Sequence, residues 1–350
     1  MIHASYIAHP LTFVRPAGTS RGVLRKKPCW FIQLTGEDGV SGIGEVSVIP
    51  GLSLEDPDDC EIQIDHLCKL ISRGEMDPMQ AFPNMPGVQF ALETAMQDLK
   101  CGQERILFPS EFTEGTAGIP TNGLIWMGAR DFMISQIREK IILGFRVLKL
   151  KVGALDLRVE LEILSWIRSE YGRSDLEIRL DANGAWNLAE AERNLRKLAR
   201  YHIHSIEQPI AAGQMAAMAE LCRDPAIPVA LDEELIGISG QEAKRTLLQE
   251  IRPSYLILKP GLLGGFAETG EWIRLAEQFH TGWWITSALE SNIGLDAIAQ
   301  WCWHTGVSTH QGLGTGALYT NNVPSPLQMS GEYLWHRPEL EWDLSEIALP

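Results

Sequence analysis

Apolar and polar positions follow two different rhythms in the two parts of this chain. Up to about residue 115, short apolar runs typical of strands come first, at residues 2–13, 28–35 and 42–49. Two segments with helical spacing of apolar residues follow, at 55–72 and 86–100. Strands followed by helices predict an α+β domain over residues 1–115.

From about residue 119, predicted strands and amphipathic helices alternate instead. Helical stretches such as 157–171 and 188–201 separate the strands, and Asn187 stands in the N-cap position of the second. The candidate strands are 121–126, 147–152, 177–181, 203–207, 229–232, 255–259, 283–287 and a weak one near 308–312. This alternation predicts a parallel sheet closed into a barrel over residues 116–320. Residues 321–350 are rich in Pro and Trp, and we expect an irregular segment that packs back on the first domain.

Composition excludes some partners. With 350 residues, 45% of them hydrophobic, the chain can bury a large core. A formal net charge of −15 disfavours binding to nucleic acid or to anionic membrane surfaces. No apolar run is long enough for a membrane helix, and the N-terminus has no signal-peptide pattern, so we expect a cytoplasmic protein.

Three acidic residues stand at a regular spacing. Asp181, Glu207 and Asp232 each end an apolar predicted strand and lie 26 and 25 residues apart, the length of one strand–helix unit. In a βα barrel such strand ends meet at one mouth, where three carboxylates repel one another unless a cation joins them. Oxygen ligands alone favour Mg²⁺, or Mn²⁺, over zinc. Solvated acids in surface loops are the alternative interpretation.

Three lysines flank these acids along the chain. Lys149 and Lys151 are two residues apart on one predicted strand, so both side chains point into the barrel. Burial and like-charge repulsion are expected to lower the pKa of at least one of them, which suits a general base. Lys259 ends the strand on the opposite side of the barrel, so the set could remove a proton next to a carboxylate. The alternatives are solvated lysines on an exposed edge strand and, for Lys259, a Schiff base.

The last predicted strand ends in a glycine-rich stretch. Residues 310–316 read His-Gln-Gly-Leu-Gly-Thr-Gly, and glycines there let backbone N–H groups approach an anionic ligand. The pattern is not a dinucleotide fingerprint, because no βαβ unit follows it, and a plain loop is equally compatible with it. In the first domain, Arg21 belongs to a polar, basic region at 19–27 that we interpret as a loop between strands.

Five segments in order, at barrel spacing, resemble the enolase superfamily in its muconate-lactonizing subgroup. They are Lys149-x-Lys151, Asp181-Ala182-Asn183-Gly184, Glu207-Gln208-Pro209, Asp232-Glu233 and Lys259-Pro260. The resemblance covers nearly the whole chain and implies an α/β fold, a (β/α)7β TIM-like barrel with an α+β capping domain. It also implies Mg²⁺ on Asp181, Glu207 and Asp232, Lys151 as base with Lys149 modulating it, and Lys259 on the opposite face.

Within that subgroup, segments 120–126, 285–291, 309–316 and 319–322 look most like a lyase that dehydrates a cyclohexadiene carboxylate. The resemblance implies a small-molecule carboxylate substrate, contacted by Ser287, Gly312 and Leu313, with Arg21 closing over the site from the cap. N-acylamino-acid racemization uses the same lysines and is an alternative, as is the reaction of another epimerase or cycloisomerase of the same subgroup. A non-catalytic binding barrel is the second alternative. The acidic D-x-D of dipeptide epimerases is absent from the last barrel strand. The sequence leaves the oligomeric state open.

Overall fold

A computed structural model describes residues 2–19, 22–102, 104–306 and 309–347 of the chain. The predicted class is confirmed: a parallel α/β barrel carries an N-terminal α+β capping domain. The elements of the cap are β1 (His3–Ala8), β2 (Leu11–Thr19), β3 (Gly22–Lys27), β4 (Cys29–Thr35), β5 (Ser41–Ser47), α1 (Pro57–Ser72) and α2 (Pro86–Cys101). Its main sheet is antiparallel, in the order β1-β4-β5.

The N-terminal strands differ from the sequence prediction in two places. The strand predicted over 2–13 is divided near Pro10 into β1 and β2, because proline has no N–H to donate to a ladder. Part of the region at 19–27, predicted as a loop, is strand β3, which pairs with β2 as an antiparallel hairpin. Arg21, for which we predict a role in closing the site, lies outside the described residues.

Helix α2 lies unusually close to strand β5. A Cβ atom at Gly44 would be 1.8 Å from the Ala91 carbonyl oxygen, and one at Gly42 would be 2.2 Å from that of Ala95. The backbones approach so closely because these two positions carry no side chain. Around this contact, Val46 and neighbouring apolar residues of both elements form the buried core of the cap.

A short strand, β6 (Ile119–Pro120), leads into the barrel. The barrel strands are β7 (Gly123–Ile125), β8 (Val147–Lys151), β9 (Glu177–Asp181), β10 (Ser205–Glu207), β11 (Val229–Leu231), β12 (Tyr255–Leu258) and β13 (Gly282–Ile285). They pair in parallel in this order. The helices are α3 (Arg130–Ile142), α4 (Leu157–Glu170), α5 (Leu188–Leu198), α6 (Met215–Arg223), α7 (Gln241–Ile251), α8 (Pro260–Leu263), α9 (Gly265–Gln278) and α10 (Asn292–His304). Within the described ranges, no helix is long and apolar enough to cross a lipid bilayer.

Two residues close the barrel where an eighth strand is predicted. Gln311 forms a parallel bridge to Thr121, just before β7, and Gly312 forms one to Thr286, just after β13. The Gln311 side chain reinforces the junction, since its Oε1 accepts a hydrogen bond from Ile285 N at 2.7 Å. Both edges of the sheet are therefore joined, and β8 is not an exposed edge strand.

Side chains alternate along the barrel strands as the sequence predicts. Leu148 and Leu150 point outward into the main core, which they share with Ile163 of α4. Lys149 and Lys151 point the other way, into the barrel, because successive side chains of a strand lie on opposite faces. The predicted cap of α5 is also present: Asn187 and Glu190 form a reciprocal capping box.

The C-terminal region contains two strands, although its Pro- and Trp-rich composition predicts irregular structure. β14 (Leu327–Ser330) and β15 (Tyr333–His336) form an antiparallel hairpin, and β15 also pairs with β6. The expectation of an irregular segment is therefore wrong for these residues. Further on, Ile347 is buried in a cluster with Leu11 of the cap and Tyr319 of the barrel, so the chain returns to the cap.

Candidate active site

The three carboxylates predicted as metal ligands stand side by side at the ends of adjacent strands. Asp181 ends β9, Glu207 ends β10, and Asp232 directly follows β11. Glu207 and Asp181 are direct partners in the strand register. All three side chains are buried, with relative exposures of 0%, 2% and 2%. The spacing along the sequence thus corresponds to a compact row of acids inside the barrel mouth.

The three predicted lysines reach this row from both ends. The Lys149 ammonium lies 2.6 Å from Glu207 and 2.9 Å from Asp181, so it bridges two of the acids. Lys151 donates to Asp181 Oδ2 at 2.6 Å and to Asn183 Oδ1 at 2.8 Å. At the far end, Lys259 donates to Asp232 at 2.5 Å. The charged network therefore consists of two neighbouring buried groups of ion pairs, Lys151–Asp181–Lys149–Glu207 and Lys259–Asp232.

The three carboxylates are not arranged as a complete metal site in this structure. Within the described residues, no three His, Cys, Asp or Glu side chains are grouped so that they could hold a metal ion as they stand. The positive charge between the acids comes from Lys149, Lys151 and Lys259. The donor set still fits Mg²⁺ or Mn²⁺ in kind, because three hard carboxylate oxygens stand at neighbouring strand ends.

Glu207, the middle acid of the row, is the one whose ionised form is most destabilised by burial and by the neighbouring acids. Burial, together with Asp181 and Asp232 on either side, raises the pKa of the Glu207 carboxyl well above its usual range, although Lys149 opposes this. Burial acts in the same direction on Asp181, but Lys149 and Lys151 outweigh it, and the pKa of Asp181 is lowered. Lys259 likewise holds the pKa of Asp232 down against burial. Glu207 is therefore the acid that an added cation would relieve most.

Lys149 differs from the sequence expectation of a lowered pKa. Burial alone would lower the pKa of the Lys149 ammonium, but Asp181, Glu207 and Asp232 together raise it well above its usual range. The pKa of Lys259 is also raised, because Asp232 and Glu207 overcome the effect of burial. For Lys149 the expectation fails because it counts the neighbouring lysine and omits the acids on the adjacent strands.

The loops after the acids are held in strained conformations. Asn183 and Gln208 have φ angles of 45° and 40°, in the left-handed region that non-glycine residues rarely adopt. Gln208 Oε1 accepts hydrogen bonds from the backbone N–H groups of Asp232 and Glu234, both at 3.2 Å. These contacts tie the loop after β10 to the loop after β11 and so fix the positions of Glu207 and Asp232 relative to each other.

A cavity of about 210 Å³ lies above the charged network. Lys149, Lys151 and Lys259 line its base. Its apolar walls come from both domains: Val23, Leu24, Ile49 and Leu52 of the cap, and Leu124, Trp126, Ala288 and Leu289 of the barrel. The cap therefore completes the cavity and shields the lysines from bulk water.

The residues predicted to contact substrate are placed differently from one another. Gly312 lines the cavity, whereas Leu313 is fully buried in the barrel core and is not among the residues that line it. Ser287 lines the cavity, but its hydroxyl donates to Glu290 at 2.6 Å and accepts from Thr315 Oγ1 at 2.9 Å. The Ser287 side chain thus belongs to an internal hydrogen-bond network.

Sequence reasoning missed three polar residues of the cavity. Asn183, Asn122 and Thr286 line it beside the lysines. Asn183 follows Asp181 at the spacing that makes it a second partner of Lys151, a signal that the sequence carries. For Asn122 and Thr286 no such signal exists, because their proximity depends on how the last strand closes the barrel.

Comparison with known proteins agrees with this arrangement. The family described as enolase C-terminal domain-like matches residues 133–337. The o-succinylbenzoate synthase of Desulfotalea psychrophila (strain LSv54 / DSM 12343) is 46% identical over 361 residues, which covers 94% of this chain and 98% of that protein. The crystal structure of MenC from Desulfotalea psychrophila LSv54 superposes with a TM-score of 0.84 at 42% identity, covering 95% of this chain and 99% of that one.

A more distant structure shares the fold. The dipeptide epimerase of Cytophaga hutchinsonii, solved in complex with Mg and the dipeptide D-Ala-L-Val, has a TM-score of 0.80 at 20% identity, over 99% of this chain and 97% of that one. The chain therefore belongs to the enolase superfamily, in the family of the Desulfotalea psychrophila o-succinylbenzoate synthase.

Proposed function

We propose that this chain catalyses the reaction named for its relative, the formation of 2-succinylbenzoate. The substrate would be 2-succinyl-6-hydroxy-2,4-cyclohexadiene-1-carboxylate, which loses water in a syn dehydration, a carbon–oxygen lyase step of menaquinone biosynthesis. The observation that carries the proposal is the position of Lys151, which lines the cavity while it hydrogen-bonds Asp181 of the acidic row. A group that accepts a proton and a set of acids that could hold a cation are thus within reach of one ligand.

Mg²⁺, or Mn²⁺, fits as the cofactor, held by Asp181, Glu207 and Asp232. The pKa of Glu207 is raised by burial and by its two acidic neighbours, so the ionised form of this carboxyl is one that a bound cation would stabilise. When bound, the cation supplies positive charge that stabilises the negative charge developing on the substrate carboxylate.

The chain's own residues account for the proton transfers. Lys151 takes the proton from the ring carbon that carries the carboxylate, and the C–H electron pair moves into the conjugated carboxylate system. The same ammonium then gives a proton to the hydroxyl group that leaves from the neighbouring carbon on the same face, so water departs and the ring becomes aromatic. Lys259 keeps its charge, because Asp232 and Glu207 raise its pKa, and it stabilises negative charge from the opposite side.

The cap contributes by excluding water. Leu24, Ile49 and Leu52 cover the charged network with apolar surface. Electrostatic interactions of the lysines and acids with a ligand are stronger in such an enclosed site than in bulk solvent. A small, largely hydrocarbon ring suits these walls.

Racemization of an N-acylamino acid is the second candidate, and the position of Lys259 favours it. Lys259 lines the cavity at the end of the acidic row opposite Lys151, so a second group could exchange a proton on the other face of a substrate carbon. Dehydration needs one base, whereas racemization needs both lysines.

Product analysis by NMR with Mg²⁺ in D₂O separates the candidates. The protein is given the cyclohexadiene carboxylate and, separately, an N-succinylamino acid. We expect conversion of the first to the aromatic product at a kcat/KM of about 10⁴ M⁻¹s⁻¹ or more. Conversion of the amino acid derivative alone would contradict the proposed dehydration and leave the racemase.

A further inference from the structure

The cavity contains two polar side chains that the proposed reaction does not use. Among the described side chains that line it, Asn122 and Thr286 have buried polar atoms, Oδ1 and Oγ1, without a hydrogen-bond partner in the protein. These residues are 4% and 8% exposed. A buried polar atom that lacks a partner is rare and costly in a folded protein, so a ligand group is the expected partner.

The two side chains flank the short strand that closes the barrel. Asn122 N donates to Gln311 O at 2.8 Å on one side, and Thr286 bridges to Gly312 on the other. Adjacent strands are about 4.8 Å apart, so the two flanking backbones are about 10 Å apart, a span that one small group can bridge. A side chain at Gly312 is excluded, because its Cβ would lie 2.5 Å from Thr286 Oγ1. The result is a slot with a glycine floor between an amide and a hydroxyl.

The neighbouring hydroxyl groups are already engaged. Ser287 donates to the buried Glu290 carboxylate, and Thr315 donates to Ser287. Leu289 N donates to the same Ser287 oxygen at 3.0 Å. Neither the Ser287 nor the Thr315 hydroxyl can donate to a ligand without breaking this network. The slot between Asn122 and Thr286 is therefore where neutral side-chain donors can still bind a ligand.

The chemistry of the slot suits a carboxylate. Thr286 can donate its O–H, and Asn122 can present its NH₂ group after a rotation about the terminal bond. Two donors converging over a floor without side chains match the two oxygens of a carboxylate. Positive potential is close by, since Lys259 follows Leu258, which is in register with Ile285, the residue before Thr286.

We propose that Asn122 and Thr286 form the subsite for the second carboxylate of the substrate, at the end of the succinyl chain, and so determine specificity for a dicarboxylate. The inference rests on the proposed function, in which the ring carboxylate occupies the region of the lysines and acids. It differs from the expectation that the Ser287 side chain contacts the carboxylate substrate, because the Ser287 hydroxyl is engaged by Glu290.

Calorimetric titration with two product-like ligands tests the slot. The ligands are 2-succinylbenzoate and 2-butanoylbenzoate, in which a methyl group replaces the distal carboxylate. Both are titrated into the Mg²⁺-loaded wild type and into Asn122→Leu and Thr286→Val, whose new side chains are of similar size. We expect the wild type to prefer 2-succinylbenzoate and each variant to lose about tenfold of that preference, with affinity for 2-butanoylbenzoate unchanged.

Two further variants serve as controls. Thr286→Ser keeps the hydroxyl and should keep the preference. Thr94→Val removes another buried hydroxyl without a partner in the described residues, on α2 and away from the cavity, and should leave binding and turnover unchanged. If Asn122→Leu does not fold, as judged by circular dichroism, Thr286→Val against Thr286→Ser still decides the outcome.

The possible failures can be told apart. A wild type that turns over the cyclohexadiene carboxylate, while Asn122→Leu and Thr286→Val keep its full preference, would overturn the slot and leave the proposed function intact. A wild type that turns over substrate but binds both ligands equally would also overturn the slot. A wild type that neither binds 2-succinylbenzoate nor turns over substrate would overturn both.

Discussion

Lys151 and Asp181 are direct partners across strands β8 and β9, and the Lys151 ammonium lies 2.6 Å from Asp181 Oδ2. The proposed base is thus held by a proposed cation ligand. Since each residue fixes the position of the other, we expect Lys151→Ala and Asp181→Asn to act as one unit. In a double-mutant cycle that measures kcat, the loss of activity in the double variant should be little greater than the loss in the less active of the two single variants. Additive losses would show that the two side chains act independently.

Removal of the proposed base should abolish proton transfer without unfolding the protein. Lys151→Ala should lower kcat for dehydration by about 10²–10⁴-fold, because general base catalysis typically contributes that much to the rate. Exchange of the α-proton of the ligand with D₂O, followed by NMR, should be lost in parallel. Lys197→Ala on the exposed face of α5 is the matched control and should keep full activity. Exchange that persists at the wild-type rate in Lys151→Ala would assign the base elsewhere.

The acidic row predicts dependence on a divalent cation. Chelation with EDTA should remove activity, and Mg²⁺ or Mn²⁺ should restore it. Glu207→Gln and Asp232→Asn should each lower kcat by about 10²-fold or more, since a bound cation stabilises transition-state charge by several kcal/mol. Titration calorimetry should show weakened Mg²⁺ binding in both, but not in Asp131→Asn on the surface of α3. Full activity in a metal-free preparation would show that catalysis does not depend on a divalent cation.

Buried Asp296 should make the stability of the protein fall as the pH rises. Burial raises the pKa of its carboxyl from an ordinary 3.8 to about 7, although Arg105 opposes this. The folded state therefore binds the proton more tightly than the unfolded state. The stabilisation is fully present below about pH 4 and is lost as the pH rises through about 7, on the order of a few kcal/mol.

Thermal unfolding from pH 4 to 8 measures this contribution. In Asp296→Asn that part of the pH dependence should disappear, and in the exposed control Asp131→Asn it should remain. Equal pH profiles for wild type and Asp296→Asn would show that Asp296 does not titrate in this range.

The contact between α2 and β5 predicts contrasting effects for two glycine substitutions. Gly44→Ala should destabilise the protein by about 3 kcal/mol or more, because its Cβ would lie 1.8 Å from the Ala91 carbonyl oxygen. Gly270→Ala, inside α9, has only the Arg274 guanidinium within 4 Å of the new Cβ and should stabilise by about 0.5–1 kcal/mol. Urea denaturation of both variants checks the pair, and a tolerated Gly44→Ala would contradict this close packing.

The residues of the charged network were accessible from the sequence because regular periods encode them. The strand–helix repeat predicts that Asp181, Glu207 and Asp232 stand together, and the two-residue period of a strand predicts that Lys149 and Lys151 share one face. The pKa of Lys149 was not accessible in this way. The direction of its pKa shift depends on which acids lie beside it on neighbouring strands, and these acids outweigh the effect of burial.

The substrate side of the cavity could be predicted only in part. Gly312 lines the cavity, but the Ser287 hydroxyl is engaged by Glu290, a contact that no sequence period encodes. Asn122 and Thr286 lie far apart in the chain and line the same cavity only because the bridges of Gln311 and Gly312 close the barrel between them. The role of Arg21 in closing the site stays a prediction, since that residue lies outside the described ranges.

We propose that this cavity dehydrates a cyclohexadiene carboxylate with Lys151 as the base. This proposal is tested most directly by following aromatic product formation by ultraviolet absorbance with 2-succinyl-6-hydroxy-2,4-cyclohexadiene-1-carboxylate and Mg²⁺, in wild type and in Lys151→Ala. The account predicts rapid, saturable formation of 2-succinylbenzoate by the wild type and a rate lower by about 10²-fold or more in the variant. A wild type with no activity above the uncatalysed rate, or a Lys151→Ala variant as fast as wild type, would contradict it.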